Sequence, residues 1–196
     1  MRKLIGLIIL GSLFGTLFTP NTYSREAIAD NPSAKTLLIE SEYYAPLSTN
    51  RRIDTASLHI LFYQKSYFDD RLALFSGATV TNAWGNIIHR QRQSESAALG
   101  IGPTFALRYQ PEPWQWEQYS LSLDAGGGLI FYNRDFPAGG DFYNFMWRFG
   151  PTLSYRLDEH RSLTFGYKLM HISNGQPSHN PAYNGKGINL GLKITF

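Results

Sequence analysis

Apolar and polar residues alternate with a period of two along most of the chain. The clearest run places Tyr119, Leu121, Leu123, Ala125, Gly127, Leu129 and Phe131 on one face, opposite Ser120, Ser122, Asp124, Gly126 and Gly128. Successive side chains of a strand point to opposite faces, so this alternation predicts strands whose two faces meet different surroundings. It predicts eight strands in all, at residues 36–44, 54–64, 71–84, 96–109, 116–132, 142–157, 161–173 and 187–196.

The last predicted strand suggests which surroundings these are. Its apolar face runs from Ile188 to an aromatic residue, Phe196, that ends the sequence, and its other face carries Asn189, Gly191, Lys193 and Thr195. Outer-membrane barrels alternate lipid-facing apolar residues with lumen-facing polar ones in this way. We therefore expect the barrel-assembly machinery to be a partner that engages the chain through Phe196.

A soluble barrel that carries a ligand is the alternative to a membrane barrel. A lipocalin-like barrel needs an apolar interior, whereas the second face of these strands carries Arg108, Asp124, Arg148, Arg156 and Lys168. An even number of strands also closes the sheet, so that no backbone edge is left unpaired in lipid. The predicted fold is all-β, an eight-stranded antiparallel transmembrane β-barrel of the outer membrane, with residues 25–196 as its single domain.

The first residues have the composition of a secretory signal peptide. Arg2 and Lys3 precede an apolar run from Leu4 to Phe18. Cleavage after Ser24 makes 1–24 the signal peptide, and cleavage after Ala29 is the alternative. A membrane anchor that is not removed is a further alternative, although the run is shorter than the roughly 20 residues of a spanning helix. Aromatic residues make up 15% of the chain and there is no cysteine, a composition that suits aromatic girdles at a membrane boundary.

The connections between predicted strands differ in length and charge. Segments 45–53, 85–95, 133–141 and 174–186 are long and are expected outside the cell, whereas 65–70, 110–115 and 158–160 are short and periplasmic. Cations outnumber anions in the outer segments, with Arg51, Arg52, Arg90, Arg92, Arg134 and Lys186 against Glu95, Asp135 and Asp141. Guanidinium groups pair well with phosphate, so these segments are expected to meet a phosphorylated lipid surface. Loops that are merely solvated remain the alternative.

The outer end of the seventh strand carries the candidate chemistry. Leu163, Phe165, Tyr167 and Leu169 share one parity, and that parity continues into His171 and Ser173. Polar groups against hydrocarbon cost a few kcal/mol when they lack partners. A histidine that can meet a serine hydroxyl has the arrangement of an activated nucleophile. The alternative is that both residues lie in the headgroup layer, where polar side chains are ordinary.

These residues also carry a resemblance to a known family. The segment His171-Ile172-Ser173-Asn174-Gly175, followed by a loop rich in Pro and Asn and by a final strand from Gly187, resembles the signature of the outer-membrane lipid A 3-O-deacylases. The segment 132–142 is similar to a branch of these proteins that is often labelled acyloxyacyl hydrolases. The family's pattern also has a glutamate at the start of the last strand, and the matching residue here is Asn189.

The resemblance implies a serine esterase that acts on lipid A in the outer leaflet and needs no cofactor. His171 would be the general base, Ser173 the nucleophile, and Asn174, with the Gly175 N–H, the oxyanion donor. Phe165, Tyr167 and Leu169 would hold acyl chains, and Arg134 and Lys186 would bind the substrate's phosphates. Asn189, or else Asp135 or Asp141, would orient His171.

Other activities find less support in the sequence. His59, His89, His160 and His179 lack metal-ligand spacing, so no metal site is predicted, and no nucleic-acid-binding motif is present. Because the glutamate is missing, a non-catalytic structural or adhesive outer-membrane barrel stays open as the second hypothesis.

Overall fold

The computed structural model describes residues 35–89 and 92–196, which form a closed antiparallel barrel of eight strands in chain order. The strands are β1 (Thr36–Pro46), β2 (Arg51–Tyr67), β3 (Leu72–His89), β4 (Arg92–Tyr109), β5 (Tyr119–Tyr132), β6 (Tyr143–Arg156), β7 (Arg161–Ser173) and β8 (Tyr183–Thr195), with a short 3-10 helix at Glu112–Trp114. No helix within these two ranges is long and apolar enough to cross a membrane. The predicted signal peptide, 1–24, lies outside the described residues.

The barrel is closed by the first and last strands. β1 pairs with β8 from Thr36↔Thr195 to Pro46↔Gly185, so both ends of the sheet find a partner. The predicted eight-stranded antiparallel barrel is therefore confirmed. We call the end of the barrel that holds Thr36 and Thr195 the terminal end, and the opposite end, where residues 47–50, 133–142 and 174–182 connect strands, the loop end.

Several strands run farther toward the loop end than the sequence predicts. β3 and β4 stay paired from Leu72↔Tyr109 to His89↔Arg92, so most of the predicted loop 85–95 is a hairpin. β8 begins at Tyr183 rather than at residue 187. At the loop end of β3 and β4, polar residues such as Asn86 and Ser96 occupy both faces, so the alternation of apolar and polar residues does not mark these strands although the backbone stays paired. The difference in connection length is consequently smaller than expected.

The outward face of the barrel is apolar. On β7, Phe165 and Leu169 are 53% and 50% exposed, whereas the alternate residues Lys168 and Met170 are 4% and 2% exposed. Exposed apolar side chains recur on the outward faces of the other strands, among them Leu58, Ile60, Phe62, Leu99, Ile101, Trp147, Phe149, Leu153 and Ile188. Such a continuous apolar band suits hydrocarbon and not water.

The lumen is filled by side chains rather than open. Its middle layer is ionic: Arg108 contacts Asp124 at 2.7 Å and Glu40 at 3.0 Å, while Arg148 and Lys168 contact Glu42 at 3.0 and 3.1 Å. An apolar layer with Tyr44, Ile130, Met146, Phe136 and Tyr183 fills the loop end, and a smaller one with Leu38, Leu61, Phe75 and Ala106 fills the terminal end. The predicted salt-bridged interior is therefore present, between two apolar plugs.

Candidate active site

His171 and Ser173 lie on the outward face of β7, near its loop end. The neighbours of this pair along the strand, Met170, Ile172 and Asn174, are buried in the barrel. Across the sheet, His171 is opposite Trp147 and Ser173 is opposite Phe145, both exposed aromatic residues of β6. The imidazole and the hydroxyl therefore face the same surroundings as the apolar band.

The His171 ring is held by a side chain of β8. Its Nδ1 is 2.8 Å from Oδ1 of Asn184, and the two residues are directly opposite in the β7–β8 register. Since an amide oxygen can only accept, Nδ1 carries the proton and Nε2 is left as the unprotonated, basic nitrogen. Asn184 thus fixes both the tautomer and the orientation of the ring.

The prediction that Asn189 orients His171 is wrong, because Asn189 does not lie near the ring. Asn189 is 1% exposed, lies opposite Gly166, and donates from Nδ2 to Glu40 Oε1 at 3.4 Å in the lumen. The error follows from starting the last strand at residue 187, which left Asn184 in a loop. The alternation of Tyr183, Gly185 and Gly187 with Asn184, Lys186 and Ile188 extends the strand by four residues and would have placed Asn184 beside His171.

The two alternative orienting residues are also elsewhere. Asp141 Oδ2 accepts hydrogen bonds from Asn174 Nδ2 at 2.7 Å and from Gln176 Nε2 at 2.8 Å. Asp135 is an exposed loop residue. Among the described residues, no carboxylate forms an ion pair with His171.

Ser173 is two residues from His171 on the same strand face. That spacing separates the two Cβ atoms by about 6.6 Å, because a strand rises about 3.3 Å per residue. Rotation about the side-chain bonds can close this gap to a hydrogen bond between Nε2 and the serine Oγ. The structure does not bring the two side chains together: among the described residues the Ser173 hydroxyl, which is partly exposed, has no hydrogen-bond partner.

Asn174 occupies a different position from the one expected of an oxyanion donor. Its side chain is buried, and Nδ2 donates to both Asp141 Oδ2 and the His179 carbonyl oxygen, each at 2.7 Å. Both amide hydrogens are therefore used in holding the loop 174–182. The adjacent Gly175 is exposed with φ of 76°, a left-handed conformation that favours glycine. Its N–H is the donor that remains beside Ser173.

An apolar groove of about 560 Å³ begins at His171 and Asn184 and crosses the outer wall of the barrel. Its walls include Leu169, Trp147, Phe149, Phe105 and Leu107, and its floor includes Ala125 and Gly126. The groove exists because β5 has small residues there. Gly127 lies beneath the edge-to-face pair of Phe105 and Trp147, whose ring atoms would be 2.9 Å from a Cβ at this position.

Of the three residues expected to bind acyl chains, one lines the groove and two lie on the exposed surface outside it. Leu169 lines the groove, whereas Phe165 and Tyr167 are exposed farther along the same face toward the terminal end. The aromatic walls from β4 and β6 were missed, since only the fold brings them next to β7.

The two expected phosphate-binding cations also lie at different places. Lys186 is exposed on the outward face of β8, two residues after Asn184. It lies opposite Leu169 in the β7–β8 register. Arg134 is exposed in the 133–142 loop. As to metals, no group of three or more His, Cys, Asp and Glu side chains within 35–89 and 92–196 is arranged to hold an ion.

Comparison with known proteins identifies the family. A family model described as lipid A 3-O-deacylase (PagL) matches residues 58–193. The crystal structure of the outer membrane enzyme PagL is similar with a TM-score of 0.53 at 16% identity, covering 80% of this chain and 98% of that one. The solid-state NMR structure of the outer membrane protein AlkL in DMPC lipid bilayers has a TM-score of 0.35 at 12% identity, covering 91% and 97%. No curated protein matches. Because the family model covers most of the chain and includes His171, Ser173 and Asn184, the chain belongs to the lipid A 3-O-deacylase family.

Proposed function

We propose that the protein is a serine esterase of the outer membrane that hydrolyses the ester-linked 3-hydroxyacyl chain at position 3 of lipid A. The observation that carries the proposal is that His171 and Ser173 share the outward face of β7 and that His171 lines one end of an apolar groove. A polar group next to hydrocarbon costs free energy unless it is hydrogen-bonded, and the Ser173 hydroxyl has no such partner among the described residues, which supports a role toward a lipid substrate. Family membership supplies the substrate class.

The reaction follows the general scheme of a serine esterase. Ser173 Oγ attacks the ester carbonyl carbon while His171 Nε2 takes the hydroxyl proton, which forms a tetrahedral intermediate. The C–O bond to the sugar then breaks, and the sugar oxygen leaves with the proton that His171 returns. Water attacks the acyl-enzyme, again with His171 as base, which releases the 3-hydroxy fatty acid and restores Ser173.

Two further groups assist this sequence. The Gly175 N–H is the candidate oxyanion donor, and donors of this kind are worth about 3–4 kcal/mol in other acyl-transfer enzymes. Asn184 holds His171 in the productive tautomer through the 2.8 Å contact with Nδ1. A neutral amide does not compensate the imidazolium charge that develops, so the rate is expected to be lower than with a carboxylate at this position.

The surroundings of the site fit a lipid substrate that lies in the membrane plane. The loop end is taken to face the cell exterior, which puts the groove at the height of acyl chains in the outer leaflet. The scissile chain would enter the groove between Trp147, Phe149 and Leu169. Lys186 and Arg134 would meet lipid phosphates at the rim.

Mass spectrometry of lipid A tests the proposal. Lipid A from cells that express the protein is expected to lose one 3-hydroxyacyl group, and Ser173→Ala is expected to abolish the loss. Ser162→Ala, a serine at the terminal end of the same strand, is the matched control and should leave the reaction unchanged. Unmodified lipid A in the presence of folded protein in the membrane would exclude hydrolysis of this ester.

A second candidate is a non-catalytic structural or adhesive barrel. The observation that favours it is the neutral Asn184 beside His171, where a general base is best served by a carboxylate. Under this hypothesis, deletion of the gene weakens the outer-membrane barrier, whereas a Ser173→Ala strain keeps a normal barrier. An equal defect in the two strains would instead favour the esterase.

Assembly into the membrane is proposed to depend on the C-terminal aromatic residue. Phe196 is 70% exposed at the terminal end, where only its backbone N–H is held, by the Lys35 carbonyl oxygen at 2.9 Å. Its ring is therefore available to the barrel-assembly machinery. Removal of Phe196 should leave protein in the periplasm, and normal amounts in the outer membrane would contradict this role.

A further inference from the structure

A second cavity lies at the loop end, separate from the apolar groove. It has a volume of about 490 Å³, within the range of small-molecule sites. Its lining combines polar residues, Ser48, Asn50, Arg51 and Asn184, with apolar ones such as Ile87 and Pro181. No activity assigned so far uses this cavity.

The polar wall of this cavity is a fixed structure. The turn 47–50 is held by hydrogen bonds from Asn50 N–H to Ser48 Oγ at 3.2 Å and from Ile88 N–H to the Asn50 carbonyl oxygen at 2.8 Å. The Leu47 N–H donates to the Asn184 carbonyl oxygen at 3.0 Å. These bonds tie the turn to β3 and β8, so the wall is preorganised before a ligand binds.

Arg51 supplies a positive charge to this wall. Its Nη1 donates to the carbonyl oxygen of Ala182, which fixes the direction of the guanidinium group. Among the described residues it has no carboxylate partner, unlike Arg108 and Arg148 in the lumen. The side chain is only partly exposed. A guanidinium that is positioned by a carbonyl and not neutralised has donors left for an anion.

The cavity and the groove meet at Asn184. This residue lines both, and its side chain holds the catalytic candidate His171 on the groove side. A molecule with an apolar chain in the groove and its ester at His171 and Ser173 would therefore continue toward the rim beside Asn184. The polar part of that molecule would meet Ser48, Asn50 and Arg51.

We propose that this rim cavity binds the phosphorylated sugar headgroup of the lipid substrate, with Arg51 contacting the phosphomonoester. The inference rests on the proposed esterase function, which it extends by naming the residue that selects a phosphorylated headgroup. The groove provides affinity for the chain, and the rim cavity provides the discrimination between phosphorylated and unphosphorylated lipids.

Binding to protein that cannot turn over tests the site directly. In a Ser173→Ala background, Arg51→Gln should weaken binding of phosphorylated lipid A about tenfold, which is the effect of losing one charge-assisted hydrogen bond of about 1.4 kcal/mol. Binding of the dephosphorylated lipid should not change. Arg52→Gln is the matched control: Arg52 is exposed, donates to the Thr49 carbonyl oxygen at 3.0 Å, and does not line the cavity.

Three results would overturn the proposal. The first is equal weakening of both lipids by Arg51→Gln, which would show a structural role, and the second is no weakening of either. The third is displacement of the lipid by inorganic phosphate at a concentration equal to that of the lipid, which would show a general anion site. Arg51→Lys, which keeps the charge, should retain most of the preference, and heat-modifiability on gels checks that each variant is folded.

Hydrolysis of an ester without a headgroup separates this proposal from the proposed function. With Ser173 present, Arg51→Gln should raise KM for phosphorylated lipid A more than KM for a p-nitrophenyl acyl ester, which has no headgroup to lose. If wild-type protein cleaves neither substrate, the esterase proposal fails. Binding in the Ser173→Ala background still decides whether the headgroup site exists.

Discussion

Replacement of Asn184 by aspartate would put a carboxylate beside the ring of His171 without a change in side-chain size. Asn184 Oδ1 is 2.8 Å from His171 Nδ1, and both residues lie on the outward face of adjacent strands. In the proposed mechanism His171 becomes an imidazolium in the transition state, and wild-type Asn184 offers only a dipole to that charge. Asn184→Asp is therefore expected to increase kcat.

The size of the increase can be bounded from Coulomb's law. Two unit charges about 4 Å apart interact by about 1 kcal/mol in water and about 4 kcal/mol at the effective dielectric constant near a protein surface. Each 1.36 kcal/mol is a factor of ten in rate. Because the site is partly exposed on one side and next to lipid on the other, we expect an increase of about 10- to 100-fold.

Steady-state hydrolysis of a p-nitrophenyl ester by folded protein in detergent micelles measures this increase. Asn133→Asp is the matched control, since Asn133 Oδ1 accepts from the Leu99 N–H at 3.1 Å and an aspartate keeps that acceptor. Asn184→Leu should reduce kcat at least tenfold, because the ring tautomer is no longer fixed. An Asn184→Asp variant that is folded but no faster than wild type would refute the role of His171 as the base.

Three further predictions follow from the loop anchor, the groove and the lumen. Asp141→Ala removes the acceptor of two amide hydrogen bonds, from Asn174 and Gln176. It should lower kcat about tenfold while the melting temperature of the barrel is unchanged. A large loss of stability would contradict a local role for Asp141. Ala125→Phe fills the floor of the groove and should raise KM for long-chain but not for short-chain esters. Leu129→Phe, on the same face but outside the groove, should leave KM for both esters unchanged. Equal effects of Ala125→Phe on both chain lengths would contradict the acyl assignment. Arg148→Met removes one cationic partner of the buried Glu42, at 3.0 Å, while Lys168 stays in contact with it at 3.1 Å. This loss should destabilise the barrel by about 1.5–3 kcal/mol with kcat intact below the melting temperature, as measured by gel shift on heating. Unchanged stability would contradict the ionic layer.

The extent to which the fold could be predicted depended on the contrast between its two faces. β5 and β6 alternate clearly because one face contacts hydrocarbon and the other a salt-bridged lumen. At the loop end of β3 and β4 that contrast disappears: Asn86 and Glu95, which are directly opposite each other, are polar on the outward face, and the buried Ser96 is polar on the inward face. Alternation cannot mark a strand whose two faces have similar residues, and for this reason the loop ends of β3 and β4 were misplaced.

The site could be predicted only where it depends on one strand. The shared outward parity of His171 and Ser173 is a local property of β7 and follows from the sequence. The contact between His171 and Asn184 depends on the register between β7 and β8. It could not be predicted while the last strand was taken to begin at residue 187. The hydrogen bond of the Asn174 amide depends on Asp141 from another loop, and the groove is lined by side chains of five strands, so neither has a local signal.

In the proposed mechanism, Ser173 is an activated nucleophile that is reached from the lipid side of the barrel. Reaction of the folded protein in lipid vesicles with a long-chain fluorophosphonate, followed by mass spectrometry of peptides, tests it most directly. A single covalent adduct on Ser173, lost in His171→Ala, is the expected result. An unlabelled Ser173 in folded protein, or labelling that does not depend on His171, would contradict it.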